Sequence, residues 1–180
     1  LADTDFPTVD PKNPSRLTAE EETVIQELCQ SFIRSEKLCR HIRFMLAKGG
    51  MYQVMNGNLL YHGCVPLTED GSFASFLGYR GRSLMDYCDK TVRKAFFLEK
   101  TYPEKQNCID FFWYLWAGKN SPLFGKNGLK TLPRYLVADS CAHREEKNPY
   151  YRLIEGENGK KIARAILSDF SLYKDTCKIV

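Results

Sequence analysis

Asn56-Gly57 stands between two short apolar runs, Met51 to Met55 and Leu59 to Tyr61, and restricts the fold more than any other stretch. That dipeptide readily takes the positive φ values of a tight two-residue turn, so residues 51–66 read as a β-hairpin. The second strand is apolar almost throughout, as a buried strand is, and it ends in His62. Gly63 follows, at a point where a Cβ would obstruct approach to the imidazole. A histidine at the tip of a buried strand serves either as a hydrogen-bonded structural residue or as a metal ligand. One ligand makes no metal site, because catalytic zinc takes about three protein ligands and two-metal hydrolases take more.

The chain has 180 residues, 43% hydrophobic and 27% charged, which suits one globular unit and excludes disordered and fibrous classes. A net charge of +4 is mildly basic, short of the clustered excess of nucleic-acid binders, and leaves anionic small molecules as plausible ligands. Seven cysteines lie at long, irregular intervals with no C-x-x-C pair, so they read as reduced thiols of a cytoplasmic protein. No run approaches the ~18 apolar residues of a membrane span. Nucleic acid and membrane are therefore not expected as partners.

Residues 1–16 hold Pro7, Pro11 and Pro14 and read as an extended arm. Thr18 with Glu21 forms a capping box, and Val24, Ile25, Leu28 and Phe32 then recur at helical spacing. A second stripe of Leu38, Ile42, Met45 and Leu46 carries the helical region 17–48 toward Gly49-Gly50, with a break near Ser35 allowed. Its other faces present Arg34, Lys37, Arg40, His41, Arg43 and Lys48, which read as a solvated face or as cations for a phosphate.

After the hairpin, Thr68 to Gly71 is a turn, and Phe73 to Tyr79 is a short strand or a loop. Leu84, Tyr87, Cys88, Val92, Ala95 and Phe96 mark a helix with Ser83 as its N-cap. Asn107 to Ala117 concentrates both tryptophans, and such a run reads as core packing ended by Gly118. Lys119 to Lys130 is a cationic loop, and Asp139 to Asn148 a solvated helical turn in which Cys141 and His143 make a weak metal pair. Gly159 opens a last amphipathic helix through Ile162, Ala163, Ile166, Leu167 and Phe170. Cys177 to Val180 is an apolar beginning with nothing after it, and together with a start lacking Met it suggests a piece of a longer protein. The expected fold is α+β, with helices packed on a small sheet that contains the hairpin and a mostly helical remainder over 83–180.

Several words in order resemble one family. They are Leu59-Leu60-Tyr61-His62-Gly63-Cys64-Val65-Pro66, Trp113-Tyr114-Leu115-Trp116, Ser121-Pro122-Leu123-Phe124-Gly125-Lys126 and Lys147-Asn148-Pro149-Tyr150-Tyr151. Ser35 to Leu38 and Arg40 to Phe44 also fit. Together they resemble the class III fructose-1,6-bisphosphatases of Firmicutes and related bacteria, from about Phe6 to Val180.

That family is similar to the calcineurin-like metallophosphoesterases, whose two-metal centre draws on Asp-x-His, Gly-Asp-x-x-Asp, Gly-Asn-His, a strand-end His and a late Gly-His. Of these motifs the sequence contains the strand-end histidine, His62. The resemblance therefore implies a portion of a larger α/β phosphatase, inactive in isolation, with His62 as one metal ligand and Mn²⁺ as the ion. The implied partner is a sugar bisphosphate substrate, with a homo-oligomer left open. Lys126, Arg134 and Lys147, in or beside the resembling words, are the first choices for phosphate contacts. The alternatives are a metallophosphatase of different substrate, and a non-catalytic regulatory or assembly module that binds an anionic metabolite through the basic helix.

Overall fold

The structure is a computed structural model that describes residues 6–10, 12–126, 150–155 and 157–180. It divides into two compact units, one holding the described residues through Lys48 and the other those from Gly49 onward.

In the first unit, the bonds Val9 N to Phe6 O, Asn13 N to Asp10 O and Arg16 N to Asn13 O close turns ahead of the first helix. The Asp10 carboxylate accepts from the Lys12 amide at 2.9 Å, an Asx turn that folds what the prolines would otherwise extend. Helix α1 spans Ala19–Arg34 and α2 spans Glu36–Lys48. The capping box is present: Thr18 Oγ1 accepts from the Glu21 amide at 3.2 Å, and the Glu21 carboxylate accepts from the Thr18 amide at 2.8 Å. Thr8 Oγ1 also donates to Glu21, and that bond is the main reason its carboxyl is held below the usual range. Ser35 makes the break, leaving helical geometry at ψ 100° while its hydroxyl accepts from the Leu38 amide at 3.2 Å to cap α2. Both apolar stripes form as helices, yet no residue of α1 or α2 is buried.

The second unit begins with the hairpin. Strands β1 (Tyr52–Met55) and β2 (Asn58–Tyr61) pair antiparallel, Val54 opposite Leu59, across a turn with Asn56 at φ 52° and Gly57 at φ 77°. A third strand, β3 (Lys178–Ile179), pairs parallel to β2, giving the order β1-β2-β3. The apolar tail Cys177 to Val180 is thus the other flank of the strand that leads to His62. Burial of β2 is not uniform, contrary to its composition: Leu59 is 0% exposed and Leu60 37%. Side chains alternate along a strand, and the packed cluster of buried residues covers the Leu59 side.

Helix α3 (Gly81–Phe97) starts two residues before the expected cap. Ser83 is already in its first turn, where its hydroxyl accepts from the Arg80 amide at 3.1 Å. The Arg82 amide is satisfied from a distance by the Asp169 carboxylate at 2.5 Å, a cap that local sequence cannot show. Helices α4 (Glu104–Ala117), α5 (Tyr151–Glu155) and α6 (Gly159–Asp169) complete the described helices. Between β2 and α3 the Thr68–Gly71 turn is present, and Phe73 to Tyr79 is a loop with a tight turn at Leu77-Gly78 rather than a strand.

Helix α3 lies between two cores. Met85 joins Leu59, Val65, Ile162, Ile166 and Phe170 in one, with Tyr52 edge-on to Phe170 at 4.7 Å. Leu84 and Cys88 join Leu115 of α4 in the other, flanked by Phe76 stacked on Tyr114 at 4.8 Å. The reading of the aromatic run as core holds for half of α4. Cys108 and Leu115 are buried and Phe111 packs beside them, but Trp113 is 73% exposed and Trp116 65%. At 100° per residue an apolar run supplies two stripes, and α3 covers one.

Because β2 is buried on one face, Leu59→Ala is expected to lower unfolding free energy by about 2–5 kcal/mol and Leu60→Ala by less than about 1 kcal/mol. Urea denaturation measures both, and equal losses would contradict the one-sided sheet.

Candidate functional site

The candidate site is the turn that carries the chain out of β2. His62 is exposed, immediately beyond the strand, and Gly63 and Cys64 turn inward behind it. A Cβ on Gly63 would stand 2.1 Å from Pro122 O and 2.6 Å from Leu123 O. Glycine is therefore required for contact with the 122–123 backbone, which replaces the expectation that it opens space beside the imidazole. The Cys64 amide donates to Pro122 O at 2.8 Å, and Cys64 Sγ lies 3.7 Å from Ser121 O.

Ser121 holds the facing loop. Fully buried, its hydroxyl donates to Leu115 O at 2.7 Å and accepts from the Leu123 and Phe124 amides, both at 3.2 Å. One side chain thus ties the end of α4 to the Leu123 and Phe124 amides of the loop that Gly63 approaches. Asn120, at φ 62°, accepts from Tyr150 OH at 3.4 Å. Tyr150 is buried in the same core as Cys64, and burial pushes its phenol up to about 12. Four stretches that carry the resemblance therefore meet here: the β2 exit, the end of α4, the Ser121 loop and Tyr150. Ser121 was hidden in the sequence inside a loop rich in turn formers. Its signal was a Ser-Pro step whose hydroxyl can reach amides two and three residues on.

His62, Tyr61, Tyr52, Leu123 and Val180 line a shallow cleft of about 330 Å³, and among the described residues no lysine, arginine, aspartate or glutamate side chain lines it. Lys126 is exposed, three residues beyond Leu123 on the Ser121 loop. Arg134 and Lys147 lie outside the described residues, as do Cys141 and His143. Arg34, Lys37, Arg40, His41 and Arg43 are exposed on the first unit.

Among the described residues no group of three or more His, Cys, Asp or Glu side chains could hold a metal ion. One exposed imidazole above a cleft without carboxylates does not fit a two-metal centre by itself.

The free thiols follow burial. Cys64 and Cys88 are each pushed up to about 12 from the ordinary 9.0 by burial in apolar surroundings, whereas Cys29 is exposed. At pH 8 iodoacetamide should therefore modify Cys29 in the native chain and reach Cys64 and Cys88 after unfolding, as peptide mass spectrometry reads. The folded state keeps these thiols protonated longer than the unfolded state. Their contribution is intact below pH 9.0 and is lost as pH rises toward about 12, so urea midpoints should fall across that window.

Ser121→Ala leaves three backbone groups without their partner and should cost about 1–3 kcal/mol in unfolding free energy. Gly63→Ala should cost more, since the obstruction is backbone. Denaturation of the two variants checks the order, and a neutral Gly63→Ala would contradict the close approach.

The whole chain, residues 1–180, matches the family model described as Firmicute fructose-1,6-bisphosphatase. It is 48% identical over 184 residues to the fructose-1,6-bisphosphatase class 3 of Clostridium novyi (strain NT) and 44% to that of Clostridium botulinum (strain Langeland / NCTC 10281 / Type F). To the class 3 protein of Alkaliphilus metalliredigens (strain QYMF) it is 42% identical over 186 residues. All of this chain is covered in each case, but it spans 27% of the length of the two clostridial relatives and 28% of the third. No solved structure matches it. With every residue inside the matched region, the chain belongs to the Firmicute fructose-1,6-bisphosphatase family.

Proposed function

We propose that this chain is part of a longer phosphoric monoester hydrolase that converts fructose 1,6-bisphosphate to fructose 6-phosphate and phosphate, a step of gluconeogenesis. The observation that carries the reading is its end-to-end match to class 3 fructose-1,6-bisphosphatases at 42–48% identity. Since the chain spans about a quarter of their length, turnover is assigned to the longer polypeptide, and the chain alone is inactive.

In that enzyme His62 donates one ring nitrogen to a metallophosphoesterase-type centre whose other donors lie outside the described residues. Mn²⁺ is the ion proposed. Paired divalent ions, when bound, polarise phosphate oxygens and make a hydroxide nucleophile available near neutral pH. The contribution of this chain is positional: the Gly63-Cys64 backbone, anchored on Pro122, fixes where the His62 ring leaves the sheet. Lys126, with Arg134 and Lys147, is assigned to the substrate phosphates, where a cation offsets the charge of a second phosphoryl group. Among the described residues no helix is long and apolar enough to cross a membrane. The cysteines among them are free thiols, which supports a cytoplasmic setting.

Phosphate release by the full-length polypeptide, with Mn²⁺ supplied, tests the reading. His62→Ala is expected to lower kcat/KM by more than the 10–100-fold typical of residues behind a metal ligand. Unchanged Mn²⁺-dependent turnover in that variant would remove His62 from the centre. A full-length protein that leaves fructose 1,6-bisphosphate intact would remove the substrate.

A further inference from the structure

Helix α4 is apolar on two sides. Leu115 and Cys108 face the core, while Ile109, Phe112, Trp113 and Trp116 follow the i, i+3, i+4, i+7 pattern of a second stripe. Exposure along it is 40%, 48%, 73% and 65% in that order. No charged side chain interrupts the helix after Asp110. With large aromatic side chains offering about 150–250 Å² each, the open stripe amounts to roughly 500 Å², at the upper end for a monomer's largest apolar patch.

We propose that this stripe is the seat of an apolar surface belonging to the part of the class 3 polypeptide that lies outside this chain. The inference rests on the reading above that the chain is part of a longer enzyme. Two observations choose this occupant. The chain spans 27% of its clostridial relatives' length, so most of the polypeptide available to cover a helix is not in it. From Phe111 to Ala117 the helix carries no charged side chain on any face, and a helical segment apolar on more than one side belongs between layers of a larger protein. A second copy of the chain is a poorer occupant, since roughly 500 Å² a side falls short of the ~800 Å² per partner of a standard stable interface.

The two tryptophans of the chain both lie on this stripe, so indole fluorescence reports its cover directly. In the 180-residue chain acrylamide should quench them freely. In the full-length polypeptide their contribution is isolated by subtracting the spectrum of the Trp113→Phe, Trp116→Phe variant, with each single variant as a second route. There the quenching constant should fall several-fold and the emission shift to the blue.

Trp113→Glu gives an independent arm: the melting midpoint should drop by several degrees in the full-length protein and move by no more than about 1 °C in the short chain. Equal quenching in both proteins would overturn the proposal. So would a short chain that sediments as a dimer with emission shifting blue as it associates, which would make a second copy the occupant. Protected indoles in a full-length protein that does not hydrolyse fructose 1,6-bisphosphate would sustain this interface and reject the substrate assignment instead.

Discussion

One backbone contact, the Cys64 amide on the Pro122 carbonyl at 2.8 Å, ties the exit of β2 to the loop that follows α4. A buried amide without an acceptor is costly, so the turn after β2 must find one, and the acceptor belongs to a loop more than fifty residues later. The loop can offer it because Ser121 has already tied that loop to the end of α4. Gly63 allows the two backbones to close. His62, just ahead of these two residues, is exposed, whereas Cys64 is buried.

What the sequence revealed is what is local. The Asn56-Gly57 turn, the Thr18 capping box, the Gly159 helix and the stop at Gly118 depend on residues within a few positions of one another, and each is present. What escaped is set by distant partners. Asp169 caps α3 across 87 positions, which moved the start of the helix ahead of Ser83. The purpose of Gly63 depends on Pro122, and the burial of β2 depends on which face the helices cover. At the site, the histidine and its strand were legible from pattern. The serine that organises the loop facing it was not, because its Ser-Pro step is one that ordinary surface turns share.

The same distinction explains α4. Composition identifies hydrophobic material without saying what lies against it, and a helix with two apolar stripes meets its neighbour with one. The first unit shows the same pattern in stronger form, with both amphipathic helices formed and neither burying a residue. Local hydrogen bonds and caps specify these helices. Burial that would stabilise the unit has to come from what is packed against them.

Strand β3 has a consequence for synthesis. It is parallel to β2, and a parallel neighbour can be reached only through a crossover, here residues 62–177. The hairpin can close as soon as Tyr61 has left the ribosome, whereas its second neighbour emerges 117 residues later, taken from the positions of Tyr61 and Lys178. At ribosomal rates of about 5–20 residues per second, β2 waits roughly 6–23 seconds for this partner. During that time the strand that leads to His62 is an open template for other chains. The short, two-residue β3 ends that exposure late, which makes aggregation during translation, more than the stability of the finished fold, the hazard that this topology carries.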